Sequence, residues 1–355
     1  MNKGRKQAVF QRCLLYGAAV FLLVLIAFGV VLVRSSSGNK DGGSAEMTAI
    51  TLAASEKHTN SSPEGEKDTQ IREPAASFVV YPERNNRSVE FSEDYDAKSA
   101  VLICCDSNEI TAYRSENEKI YPASLVKVMS LIVAVENTND ISETVAVTDD
   151  MVYPLNELEA SMAGFMPGET FALEDVLYGM ILESGADAAL AAAVHTAGSE
   201  ERFVELMNRK AGELGLKNTH FTNVVGLHHE ENYSTAADMA VILEYALQNA
   251  VCRQFLERYE YKTAPTEQHP EGLAFTSTLF SRMYGDEMPG VKILGGKTGY
   301  TDEAGNCIET YADINGKTYI LVLCGGKTNW NNIYDTLSAY SVYCAGGKRY
   351  EPPHS

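Results

Sequence analysis

The chain has 355 residues, 45% of them apolar and 22% charged, the balance of one large or two ordinary globular domains with a substantial core. Its net charge of −19 argues against nucleic-acid binding, which needs a cationic face to neutralise phosphates. The acidic excess is read as solubility.

The charge is unevenly placed. Residues 1–33 hold Lys3, Arg5, Lys6 and Arg12 and no acid, and no charged residue falls between Cys13 and Val33. An apolar run of about 20 residues spans a bilayer, whereas a cleavable signal peptide has an apolar region of about 7–15. No small-x-small site follows cleanly. Residues 1–12 are therefore expected to be a cytoplasmic tail and residues 13–33 an uncleaved transmembrane anchor, with everything beyond it extracytoplasmic. A long signal peptide cut between Ser35 and Gly43 is the alternative, and it exports the same domain. Residues 34–77, rich in Ser, Gly, Asn, Glu and Lys, read as a flexible linker.

A folded domain is expected over residues 78–348, with 349–355 a short tail. Ala100 to Cys105 is an apolar strand, Asp106–Glu109 a turn, and Ile110 to Ser115 the returning strand. A buried helix follows from about Ser124, carrying Val126, Val128, Met129, Leu131, Ile132, Val133 and Val135. Thr144 to Thr148 is a further short strand. Phe171, Leu173, Val176, Leu177, Met180 and Ile181 keep a helical period, with Thr170 as the expected N-cap. Ala186 to Ala197 is an alanine-rich helix, Ser199-Glu200-Glu201 opens another, and Thr235 with Asp238 caps Ala236 to Leu247. Strands Val291–Lys297, Asn306–Ala312 and Thr318–Cys324 and a closing helix, Asn331–Tyr343, complete the chain. Strands, helices, then strands imply one sheet built from both ends around an inserted helical block.

Seven cysteines of scattered spacing do not form a disulfide framework. Asn315-Gly316 predicts a two-residue hairpin, and an unbroken register would set Cys307 opposite Cys324. Two buried thiols are the preferred reading of that pair, with a cross-strand disulfide as the alternative.

Three short segments carry chemistry. Ser124-Leu125-Val126-Lys127 places a hydroxyl and an amine on one helical turn, and a lysine neutralised by burial can act as base to a serine nucleophile. Ser184-Gly185-Ala186 falls at a helix junction. Lys297-Thr298-Gly299 ends a strand. Ser-x-x-Lys, Ser-x-Asn about 60 residues on, and Lys-Thr-Gly are the joint signature of penicillin-binding proteins and serine β-lactamases. With Tyr121–Lys127, Pro167-Gly168-Glu169, Glu183–Ala189, Asn218–Asn223, Gly226-Leu227, Tyr233–Ala240 and Lys297–Gly305, the chain resembles the low-molecular-weight serine D-alanyl-D-alanine carboxypeptidases, peptidase family S11. The resemblance covers about residues 78–348. The C-terminal β-rich domain and amphipathic anchor of many members are expected to be missing, with the N-terminal segment replacing that anchor.

The resemblance implies an α+β fold of the serine β-lactamase and penicillin-binding-protein type, an antiparallel sheet with helices on its faces. It implies Ser124 as nucleophile, Lys127 as its base and Ser184 as proton relay. Lys297 and Thr298 would receive the substrate's terminal carboxylate, Gly299 would admit its backbone, and the N–H groups of Ser124 and Tyr300 would form the oxyanion hole. The implied partners are peptidoglycan stem peptides ending in D-Ala-D-Ala, β-lactams as covalent inhibitors, and the membrane; no cofactor or metal is implied.

One residue departs from the pattern. Ala186 stands where the second motif has asparagine, and the lost hydrogen bond corresponds to about 1–3 kcal/mol, or roughly ten- to a hundredfold in rate. Asn223 and Asn306 are candidate replacements. A β-lactamase and a degenerate wall-binding homologue are the competing readings. The nearest candidate for a class A glutamate, Glu205-Leu206-Met207-Asn208, reads as surface helix, His228-His229-Glu230 as a solvated loop without metal-site spacing, and Lys327-Thr328 as a chance echo of the third motif.

Overall fold

The computed structural model describes residues 79–283 and 288–352. The expected tail, anchor and linker lie outside the described residues. Among the described residues no helix is long and apolar enough to cross a membrane.

Three strands, β1 (Val89–Glu90), β2 (Ser99–Cys104) and β3 (Glu109–Arg114), come first. β2 and β3 form the expected hairpin. A 3-10 turn, Ala123–Leu125, runs into α1 (Val126–Glu136), whose residues are buried from Val126 to Ala134. Then come β4 (Thr144–Ala146), α2 (Asp149–Glu157), β5 (Thr170–Ala172) and α3 (Leu173–Leu182). The expected N-cap at Thr170 is thereby corrected. Thr170–Ala172 pairs antiparallel with β4, and α3 begins only after it, where Asp175 Oδ2 accepts from the Ala172 nitrogen at 3.1 Å. A β-branched and an aromatic residue facing an open strand edge favour the ladder over a first helical turn.

The helical block continues with α4 (Ala186–Ala197), α5 (Glu200–Glu213), α6 (Ala236–Gln248) and α7 (Ala250–Leu256). Ser199 and Thr235 cap α5 and α6, accepting from the nitrogens of Arg202 and Asp238. A small hairpin, β6 (Glu260–Lys262) and β7 (Ala274–Thr276), and the single turn α8 (Phe280–Met283) add to the expected elements. β8 (Lys292–Thr301), β9 (Gly305–Ile314) and β10 (Lys317–Gly326) return to the sheet, and α9 (Asn329–Ala339) closes it, continuing through a π turn, Tyr340–Cys344. Thr328 caps α9, so this helix starts two residues before the expected Asn331.

The two ends meet in one six-stranded sheet of order β1-β3-β2-β10-β9-β8, antiparallel except for β1 beside β3. Successive residues of a strand point to opposite faces, and both faces are covered here. Val101, Ile103, Tyr311 and Val322 pack against the helical block, while Leu102, Ile308, Leu321 and Leu323 pack against Ile333, Leu337 and Tyr340 of the closing helix. This three-layer α+β arrangement is the expected one.

The β9–β10 hairpin turns at Asn315-Gly316, both at positive φ, and keeps the expected register from Lys317–Ile314 to Leu323–Ile308. It then slips, so that Gly326 pairs with Asn306. One extra residue on β10 makes a bulge. Cys307 and Cys324 are therefore not ladder partners; both are buried free thiols.

Candidate active site

The 3-10 turn before α1 sets Ser124 at the edge of a cleft of about 490 Å³, lined also by Lys127, Ser184, Ala186, Thr298 and Gly299. Lys127 Nζ lies 3.1 Å from Ser124 Oγ and donates to the Val225 carbonyl at 2.5 Å. Only 1% of Lys127 is exposed. Burial pushes its proton affinity well below that of a free lysine, and nearby Lys297 adds to the effect; Asp187 opposes it. Asp187 spends its carboxylate on the backbone nitrogens of Ala163, Gly164 and Phe165, holding the loop that borders the cleft. A neutral amine keeps a lone pair, which can take the Ser124 proton.

Across the cleft, Lys297 Nζ donates to Ser184 Oγ at 2.9 Å and to the Thr298 carbonyl at 2.8 Å. Ser184 sits at the junction of α3 and α4 with a left-handed φ of 59°. Its hydroxyl accepts from Lys297 and keeps its own hydrogen to donate. Thr298 Oγ1 is 2.8 Å from Thr278 Oγ1. Lys297 lies 1% exposed behind these groups. Burial pulls it down to about 7, Glu309 pulls the other way, and Arg282 opposes the charge further.

The third motif's glycine has a steric reason. A Cβ on Gly299 would lie 2.8 Å from the Ser124 nitrogen, so β8 can abut the serine's turn only without a side chain there. Gly226 meets the same turn from the other side, where a Cβ would come within 2.1 Å of the Ala123 carbonyl oxygen. Tyr300, by contrast, is 56% exposed at the mouth, and its hydroxyl donates to Asp302.

The structure brings together all seven residues singled out from the motifs. It does not supply the suggested substitutes for the missing asparagine. Asn223 donates to the Leu227 carbonyl and accepts from the Gly226 nitrogen, while Asn306 donates to the Gly326 carbonyl; neither bonds Lys127. Ala186 presents a buried methyl, and its nitrogen donates to the Ser161 carbonyl. Glu205 faces solvent and Asn208 is tied to Phe221, as a surface helix requires. Lys327 pairs with Asp96, outside the cleft. His228 stands at the cleft mouth, edge-on to Tyr121 and 3.9 Å from Glu303, so it is part of the site's rim rather than a free loop residue.

Sequence reasoning missed Arg282, Thr278 and the Val225 carbonyl. Arg282 reaches the cleft from α8 and donates to the Thr278 carbonyl at 2.6 Å. It lies in a stretch without period or motif, and no sequence signal marks it.

The fold, with the segments around Ser124, Ser184 and Lys297, defines a scaffold of the penicillin-binding-protein type. Residues 85–328 match the peptidase S11 family model, D-alanyl-D-alanine carboxypeptidase, and the chain belongs to that family. It is 36% identical over 238 residues to the D-alanyl-D-alanine carboxypeptidase DacF of Bacillus subtilis, covering 66% of this chain and 58% of that protein. It is 31% identical over 241 residues to DacA of Escherichia coli K12, covering 66% and 57%. The chain thus spans somewhat over half the length of these two relatives. Among solved structures, a D-alanyl-D-alanine carboxypeptidase from Mycobacterium tuberculosis is 28% identical with a TM-score of 0.59, covering 73% of this chain and 91% of that one. A cysteine-to-alanine mutant of Streptomyces K15 DD-transpeptidase is 25% identical with a TM-score of 0.63, covering 68% and 95%.

Proposed function

We propose that this chain is a serine-type D-Ala-D-Ala carboxypeptidase that removes the terminal D-alanine of bacterial peptidoglycan stem peptides. The observation that carries the reading is Lys127 Nζ at 3.1 Å from Ser124 Oγ, buried where its charge is disfavoured. Ser124 attacks the carbonyl of the penultimate D-alanine and passes its proton to Lys127. The oxyanion forms against the N–H groups of Ser124 and Tyr300. Ser184 relays a proton to the leaving amine, while Lys297 and Thr298 hold the terminal carboxylate beside Gly299. Water then releases the acyl group from Ser124. β-Lactams acylate the same serine and inhibit.

The catalytic domain is assigned to residues 78–348, outside the cytoplasmic membrane and tethered by residues 13–33 through the linker 34–77. The extracytoplasmic location follows from the substrate, and the tether from the uncharged apolar run at residues 13–33. Incubation with a stem pentapeptide tests the activity. One D-alanine released per peptide, absent from Ser124→Ala, is the expected result; an unchanged peptide overturns the reading.

A further inference from the structure

Directly across the β8–β9 ladder from Lys297 stands Glu309. It is 0% exposed, and neither carboxylate oxygen has a hydrogen-bond partner. Buried polar groups are normally paired, and an unpaired carboxyl in a dry core costs stability. Nothing structural compensates here: its same-face neighbours on β9 are Cys307 and Tyr311, its β10 partner is Val322, and Lys297 gives its bonds to Ser184 and Thr298 instead. A strand position flanked by Cys and Val invites an apolar residue. An acid there, opposite the lysine that stands behind Ser184 and Thr298 of the cleft, has an electrostatic use.

We propose that Glu309 is a positioning residue for anion recognition, a carboxyl behind Lys297 whose ionised form keeps this lysine cationic in the dry site before the substrate carboxylate arrives. The proposal rests on the reading of the cleft given above. Glu309 favours the ammonium form of Lys297, and Arg282 on α8 opposes it. Lys127 on α1 faces Lys297 across the cleft, with Asp187 of α4 acting on Lys127 in turn. Cys307 and Cys324 face the carboxyl as thiols from β9 and β10. Burial pushes the Glu309 carboxyl well above the usual carboxylate range and Lys297 pulls it back, so the carboxylate and the ammonium sustain each other; among these groups Glu309 is the acid that acts directly on Lys297. Without it, Lys297 would lose its proton at a lower pH and the site its anion receptor.

The test is a titration of the full chain carrying lysine labelled with carbon-13 at Cε, the Lys297 signal being assigned with Lys297→Arg. Glu309→Gln is expected to lower the pH at which Lys297 titrates by about 1–3 units, the usual effect of one close opposite charge. The rate of acylation by benzylpenicillin, itself a carboxylate, should lose its alkaline limb by the same shift and stay within about twofold of wild type at acid pH, where Lys297 is protonated in both. Glu309→Asp should restore part of the shift. Glu309→Val, an apolar residue beside Val322, provides a second variant if Gln folds poorly. An unmoved Lys297 titration in Glu309→Gln or Glu309→Val overturns the proposal, as does a loss of acylation by one factor at every pH. A wild-type protein that takes up no benzylpenicillin overturns the reading of the cleft, while the lysine titration still decides the part played by Glu309.

Discussion

Lys127 and Lys297 are each 1% exposed, and each reaches one serine hydroxyl and one backbone carbonyl. Their surroundings nevertheless differ. Lys127 looks toward another lysine, and the carboxylate that acts on it, Asp187, is engaged with three backbone nitrogens. Lys297 has Glu309 directly across the ladder. Desolvation discourages charge on both, but the acid that opposes it at Lys127 is bonded elsewhere, whereas the acid that opposes it at Lys297 has no hydrogen-bond partner. The first amine is suited to take a proton from Ser124, and the second to meet an anion. Burial alone does not distinguish a base from an anion receptor; what stands behind the amine does.

That contrast can be broken from either side. Lys127→Met keeps the helix and removes the base, so acylation of Ser124 should fall by about 10²–10⁴, read as the rate of benzylpenicillin adduct formation. A smaller loss would mean that another group takes the proton. Lys297→Met removes a charged hydrogen-bond donor of about 1.5–3 kcal/mol, and should appear mainly as a raised KM for peptides with a free terminal carboxylate. Peptides amidated at that end should lose their deficit relative to wild type. Gly299→Ala should slow acylation by about a hundredfold, because the new methyl would press on the Ser124 turn and a displacement near 1 Å has that effect. Ala186→Asn should raise acylation by roughly tenfold, the lower end of what one hydrogen bond contributes; unchanged kinetics would show that the site does without a third contact to Lys127.

The pH profile sharpens the same comparison. Each lysine is shifted downward, so each loses its proton at a lower pH than free lysine. On the proposed mechanism that loss creates the base at Lys127, and activity should rise with pH through its titration. For Lys297 it removes the anion receptor, and binding falls as pH rises through about 7 in the free enzyme. A bound carboxylate holds the proton on Lys297, so the alkaline limb of kcat should lie above that of kcat/KM. Coincident limbs would remove Lys297 from the account.

The motif residues are legible in the sequence because each lies in a segment with its own signal: a buried helical run after Ser124, a helix junction at Ser184, a strand end at Lys297. The caps at Ser199 and Thr235 are equally local. Features set by distant partners are not legible there. Thr170–Ala172 is a strand only because β4 offers an edge, and the bulge near Cys324 breaks a register that the turn residues alone would continue. Arg282 comes from a single turn with no pattern around it. Glu309 carries a weak signal, as the charged residue in the apolar run Asn306–Ala312, but its meaning depends on the β8–β9 register that sets it against Lys297.

The most direct test of the account is the intact mass of the purified protein after incubation with benzylpenicillin, with Ser124→Ala as control. A single covalent adduct on the wild-type protein, absent from the variant, is the predicted result. A folded wild-type protein with neither an adduct nor hydrolysis of the drug would contradict the claim that Ser124 and Lys127 form a working nucleophile and base.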